Sequence, residues 1–151
     1  MAQRFLQDPS AFGTGYPVIG ANSEAFAVGD AVYINTSGFM AVATTSSKIL
    51  GYSVGAITMA SDNQTVGLVK PQYVYAENVL MVYPGDSACT QTKIGEYADF
   101  VSTISNAQTI NGTVGATGQF LVIGFDPAGD GTTTDYVVIA AERQKDGYAQ
   151  S

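Results

Sequence analysis

Lys48-Ile49-Leu50-Gly51-Tyr52-Ser53-Val54-Gly55-Ala56-Ile57 sorts its residues by size when read with a period of two. Leu50, Tyr52, Val54 and Ala56 fall on one side; Ile49, Gly51, Ser53, Gly55 and Ile57 fall on the other. Side chains alternate across a strand, so the stretch reads as a strand with one bulky face. Its second face is nearly bare in the middle. Paired glycines inside a strand mark a sharp bend or the close approach of another backbone. The stretch is therefore expected at the centre of the fold, closely packed over Gly51 and Gly55.

Working outward, the pattern has a distant echo in Gln119-Phe120-Leu121-Val122-Ile123-Gly124-Phe125. A Gly-acid opening precedes each strand, Val28-Gly29-Asp30 in one case and Ile94-Gly95-Glu96 in the other. A polar turn and another apolar stretch follow each, Thr65 to Val69 and Asp135 to Ala141. This suggests a tandem pseudo-repeat over 25–75 and 92–142. The plainer alternative is that β-proteins reuse the same turn chemistry.

Further strand signals lie at Val28 to Ile34 and Phe39 to Thr44, around the hairpin loop Asn35-Thr36-Ser37-Gly38. Others lie at Gln72 to Tyr75, Asn78 to Tyr83 and Thr92 to Val101. Phe120 to Phe125 and Asp135 to Glu142 form the clearest hairpin, and no convincing helix is found. Many short strands with frequent turns predict an all-β antiparallel sandwich or barrel over 25–143. Residues 1–24 differ, because Asp8-Pro9, Gly13, Gly15, Pro17 and Gly20 break up the apolar residues. They read as an extended N-terminal arm whose Phe5, Leu6, Phe12, Tyr16 and Ile19 are spaced as anchors for another surface. The alternative is a loop packed on its own domain. Residues 144–151 read as a polar tail.

A chain of 151 residues suits one domain and can bury about 70% of its unfolded surface. Only 13% of the residues are charged, about half the usual fraction, which fits a surface partly covered by a partner. The net charge is −7 and the basic residues Arg4, Lys48, Lys70, Lys93, Arg143 and Lys145 are scattered. Nucleic acid and anionic membranes are disfavoured as partners, since phosphate binding rests on clustered Lys and Arg. Met1 to Arg4 is not followed by an apolar run, so no signal peptide is expected, and no apolar run is long enough to span a bilayer.

The chain has no histidine, which removes Ser-His-Asp and Cys-His arrangements and most zinc sites. The single Cys89 forms no intrachain disulfide and reads as an inert small residue. Asp30, Glu77, Glu96 and Asp99 lie on different predicted strands, and sequence pairs no two of them for glycoside hydrolysis. Asp126, Asp130 and Asp135 could supply calcium oxygens, but their spacing misses the EF-hand pattern, and an ordinary hairpin loop is the expectation. No catalytic residue, cofactor or metal site is predicted. The frequent tyrosines suit a core or a protein interface.

Val28-Gly29-Asp30-Ala31-Val32-Tyr33, Lys48 to Ala56 and Thr65-Val66-Gly67-Leu68-Val69 together resemble the capsid decoration (cement) proteins of tailed bacteriophages. The resemblance covers roughly residues 25 to 70, with a weaker second half. It implies a non-enzymatic virion protein, made in the host cytoplasm, that binds the outside of an icosahedral head. Such proteins often act as trimers and clamp neighbouring major capsid subunits. Two alternatives stand beside it: a head-fibre base or other minor virion protein, and a carbohydrate-binding or adhesive β module with exposed Tyr stacking on sugars.

Overall fold

The computed structural model describes residues 3–13, 15–67, 69–125 and 134–144. The chain is all-β, as its alternating patterns predict. Among the described residues thirteen short strands run in order: β1 (Arg4–Phe5), β2 (Ala25–Phe26), β3 (Ala31–Ile34), β4 (Met40–Val42), β5 (Gly51–Ser53), β6 (Ile57–Thr58), β7 (Tyr73–Tyr75), β8 (Met81–Pro84), β9 (Tyr97–Ala98), β10 (Phe100–Ser102), β11 (Thr109–Ile110), β12 (Phe120–Phe125) and β13 (Asp135–Ala140). One antiparallel sheet has the order β4-β3-β5-β7 and a larger one the order β1-β8-β13-β12-β9. Two pairs, β2-β6 and β10-β11, stand apart. Among the described residues no sheet closes into a barrel, so of the two expected architectures the sandwich is the one observed.

The two main sheets face each other across one core. Ala31, Tyr52 and Val74 from the smaller sheet meet Met81, Tyr83, Phe120, Tyr136 and Val138 from the larger, with Phe100 between. Edge-to-face contacts order the rings at its centre. Phe100 lies 5.1 Å from Tyr83 and 4.8 Å from Phe120, both at steep angles, the arrangement that aromatic quadrupoles favour. A second cluster covers the outer side of the smaller sheet, where Val32, Ile34, Met40, Leu50 and Tyr73 pack with Phe26 and Met59. The smaller sheet is thus apolar on both faces.

The stretch expected to be one central strand is broken. Only Gly51–Ser53 forms β5, and Ile57–Thr58 leaves to pair with β2. The alternation also slips at Gly51: Tyr52 lies in the inter-sheet core, whereas Leu50 lies in the outer cluster. A Cβ built on Gly51 would lie 1.9 Å from the Val74 carbonyl oxygen, so this glycine does mark a close backbone approach. Gly55 does not; a Cβ there meets nothing within 4 Å. The chain bends at that point, with the Ser53 hydroxyl donating to the Gly55 carbonyl.

Two further expected strands differ. In place of the start of the strand expected at Thr65 to Val69, the chain makes a single π-helical turn over Asn63–Gly67. The buried Asn63 organises it, donating to the Gly20 and Val69 carbonyls and accepting from the Val69 amide. In the 92–101 stretch, Gln91–Lys93 forms a 3-10 turn and Gly95 takes φ +90°, a left-handed conformation that glycine tolerates. The strand signal there resolves into β9 and β10. The hairpin of β12 and β13 forms as expected, with a register shift between Val122 and Gly124.

Candidate functional site

The five arm residues reach different surroundings. β1 adds Arg4 and Phe5 to the edge of β8, and the Phe5 ring meets Tyr52 edge-on at 6.2 Å. Leu6 is half-buried and its amide donates to the Leu80 carbonyl. Pro9–Phe12 forms a 3-10 turn capped by the Asp8 carboxylate; the Phe12 side chain lies outside the described residues. Ile19 is half-buried, and its carbonyl accepts from the Met40 amide. Only Tyr16 of the described four projects fully, at 76% exposure.

Tyr16 is held by its backbone. The Gly15 amide donates to the Tyr73 carbonyl at 2.9 Å. The Tyr16 amide donates to the Tyr75 hydroxyl at 3.2 Å, and the Tyr73 hydroxyl donates to the Tyr16 carbonyl. Tyr73 presses against Gly15, where any Cβ would stand 2.2 Å from its ring. Two rings from one strand, two residues apart, therefore clamp a single residue of the arm. Burial pushes the Tyr73 hydroxyl well above its ordinary value, so it remains a donor. Tyr75, whose hydroxyl meets the Tyr16 amide, is itself 38% exposed. The Gly20 amide joins this segment to the Val69 carbonyl. The sequence singles out Tyr16, but not Tyr73 and Tyr75 as its holders; the signal it offers for them is their spacing of two on one strand.

Two polar clusters lie elsewhere. Asp30 is fully buried, and its carboxylate accepts from Gln3 Nε2, the Ala27 amide, the Ser105 hydroxyl and the Asn106 amide at 2.5 to 2.8 Å. All four oxygen lone-pair directions serve to join residues 3, 27, 105 and 106, so Asp30 ties three distant stretches together. Lys93 Nζ lies 2.9 Å from Ser87 Oγ, 2.8 Å from the Ala88 carbonyl and 3.0 Å from the Tyr136 hydroxyl. A serine beside a lysine invites a nucleophile–base reading. Here the ammonium has three acceptors for its three protons, which leaves no lone pair to take one from Ser87. The cluster pins the 86–93 loop onto β13.

Cys89 is buried beside the Gly124 carbonyl, and burial raises its thiol above the ordinary value. Of the calcium candidates, Asp126 and Asp130 lie outside the described residues, and Asp135 opens β13. Among the described residues no group of three or more His, Cys, Asp or Glu side chains is placed to hold a metal, and no helix is long and apolar enough to cross a membrane. No protein-family model, curated protein or solved structure matches the chain.

Proposed function

We propose that this chain is a structural virion protein, a decoration protein that binds the outside of an icosahedral phage head and clamps neighbouring major capsid subunits without catalysis. The observation that supports this reading is the surface around Tyr16. Its ring is exposed while both backbone polar groups are fixed, and the partly exposed Tyr75 lies beside it. Exposed tyrosines are enriched at protein contact sites. A tyrosine already held in place loses little freedom on binding, which is the property of an interface anchor. The proposal narrows the expected arm contact to Tyr16, since Phe5 packs against the protein's own core. Self-association as a trimer belongs to the same proposal, and light scattering at high micromolar concentration tests it.

Co-sedimentation with undecorated heads tests the main reading. The parent protein is expected to pellet with heads, and Tyr16→Ala to bind at least tenfold more weakly with an unchanged melting temperature. Equal pelleting of the two, or no binding by the parent, would overturn it. Binding confined to a head vertex would favour a fibre base. The same two rings, Tyr16 and Tyr75, are also the pair on which a sugar would stack. A glycan array that captures the parent but not Tyr16→Ala would favour an adhesive module.

A further inference from the structure

We infer that the chain is a tandem duplication of one β unit, over residues 15–76 and 81–141, and that the first unit closes with two tyrosine hydroxyls the sheet edge that the second closes with β1. The duplication shows in hydrogen bonds, strand register and backbone conformation, independently of the function proposed above.

The same bonds occur twice. The Gly29 amide donates to the Ser53 carbonyl and the Ser53 amide to the Asp30 carbonyl, at 2.8 and 2.9 Å. The Gly95 amide donates to the Val122 carbonyl and the Val122 amide to the Glu96 carbonyl, again at 2.8 and 2.9 Å. Both glycines are left-handed, at φ +85° and +90°. From these anchors the registers run in parallel. Ala31 faces Tyr52, which faces Val74, as Tyr97 faces Leu121, which faces Ile139. The Ala76 amide reaches the Leu50 carbonyl as the Ala141 amide reaches that of Gln119. The Ala43 amide reaches the Ala31 carbonyl as that of Gly115 reaches Tyr97.

The correspondence includes the arm. Gly20 forms an isolated parallel bridge with Met40, and Gly85 forms one with Ile110. The Gly20 amide donates to the Val69 carbonyl as the Gly85 amide donates to that of Thr134. Gly15 meets Tyr73 as Met81 meets Val138, so the first unit carries one more residue between this contact and the Gly20 bond than the second carries between Met81 and Gly85. Residues 15–20 therefore run beside β7 as β8 runs beside β13. Pro17 and Pro71 remove amide donors from this ladder, which is why no regular strand forms there. Each unit thus starts earlier than the pattern of 25–75 and 92–142 suggested. The counterpart of β13 is Tyr73 to Ala76, not Thr65 to Val69.

The units differ at one edge. In the second, Val82 pairs with Arg4 of β1 and is 1% exposed. In the first, Tyr16 occupies the matching edge, and the hydroxyls of Tyr75 and Tyr73 engage its amide and carbonyl. Unpaired edge groups invite another strand. Two side chains from β7 satisfy them instead, leaving the Tyr16 ring free and the edge closed to strand addition.

The test compares the two edges. The Tyr73→Phe/Tyr75→Phe double variant opens the first, and a variant lacking residues 1–7 opens the second. The probe is a synthetic peptide of residues 3–7, Gln3-Arg4-Phe5-Leu6-Gln7. Each opened protein is expected to retain the peptide at least tenfold more strongly than the parent in a fluorescence anisotropy titration. The Tyr16 amide of the double variant should also exchange at least tenfold faster than in the parent. Capture by the truncated protein but not by the double variant would overturn the equivalence of the edges. So would an unchanged Tyr16 exchange rate. Should the truncated protein fail to fold, the exchange rate and peptide binding of the double variant decide alone, and a folded double variant that ignores the peptide refutes the inference.

Discussion

Replacing Gly51 by alanine should be among the most damaging single-methyl additions to this protein, while the same change at Gly55 should be harmless. The added Cβ at Gly51 would lie 1.9 Å from the Val74 carbonyl oxygen and 2.9 Å from its carbon. These are backbone atoms, so no side chain can rotate away. Ordinary contact begins near 3.4 Å, so β5 and β7 must separate by more than an ångström. That movement strains the ladder bonds from the Ala76 amide to the Leu50 carbonyl and from the Val54 amide to the Gln72 carbonyl. Two such bonds contribute about 2 kcal/mol net. Overpacking adds about 1–3 kcal/mol, giving a loss of about 3–5 kcal/mol. For a chain of this size that lowers Tm by roughly 6–20 °C. At Gly55 a Cβ meets nothing within 4 Å. Alanine there should be neutral or should stabilise by up to about 1 kcal/mol through the unfolded chain. Urea and thermal melts of the two variants beside the parent are the assay. A Gly51→Ala protein that melts within about 2 °C of the parent would refute the close approach of the strands.

Asp30→Asn replaces one acceptor oxygen by a donor facing two donors, and should cost at least about 3 kcal/mol in urea unfolding, with faster exchange at the Asn106 amide. Burial raises the Glu24 carboxyl above its ordinary 4.5; a Val42 backbone hydrogen bond opposes the shift and the Asp30 charge adds to it. The folded state therefore holds this proton longer than the unfolded one. The destabilisation is absent below the ordinary value and grows as pH rises through it. Glu24→Gln should accordingly be more stable than the parent at pH 7, with the difference fading towards pH 4 in parallel melts. Cys89 should resist a thiol reagent in the native protein and react in full once urea unfolds it; immediate native labelling would contradict its burial.

The hairpin of β12 and β13 was legible because its alternation and its length agree. The Gly-acid openings at Gly29 and Gly95 were legible as a repeated pattern, but the left-handed backbone that both glycines adopt was not. Nor was the course after Ser53. Sequence shows that Gly55 lacks a side chain, but not whether anything approaches it. A polar turn before Thr65 was legible, but its continuation as a helical turn to Gly67 was not, because its cause is a buried amide bonded to residues 20 and 69. The same holds for Gln108, for Gln119 at the head of the echo strand and for Gln144 at the start of the expected polar tail, all of which are buried. Burial of an amide depends on distant carbonyls, and no local period encodes it. Of the arm anchors, Tyr16 could be named from the sequence, but its selection over Phe5 required knowing which ring the core takes up.

Those glutamines have a consequence for the order in which the molecule can assemble. Gln108 bonds both the amide and the carbonyl of Ala31, and Gln144 does the same for Ile34. Both targets lie on β3, an early strand, and both partners come from far downstream. During synthesis at about 5–20 residues per second, β3 leaves the ribosome several seconds before its last backbone partner exists. Until Gln144 emerges, β3 carries polar groups that only water or a wrong strand can satisfy. The first sheet is therefore completed last, although it is encoded first, and the interval between the two is when the nascent chain is most open to mispairing.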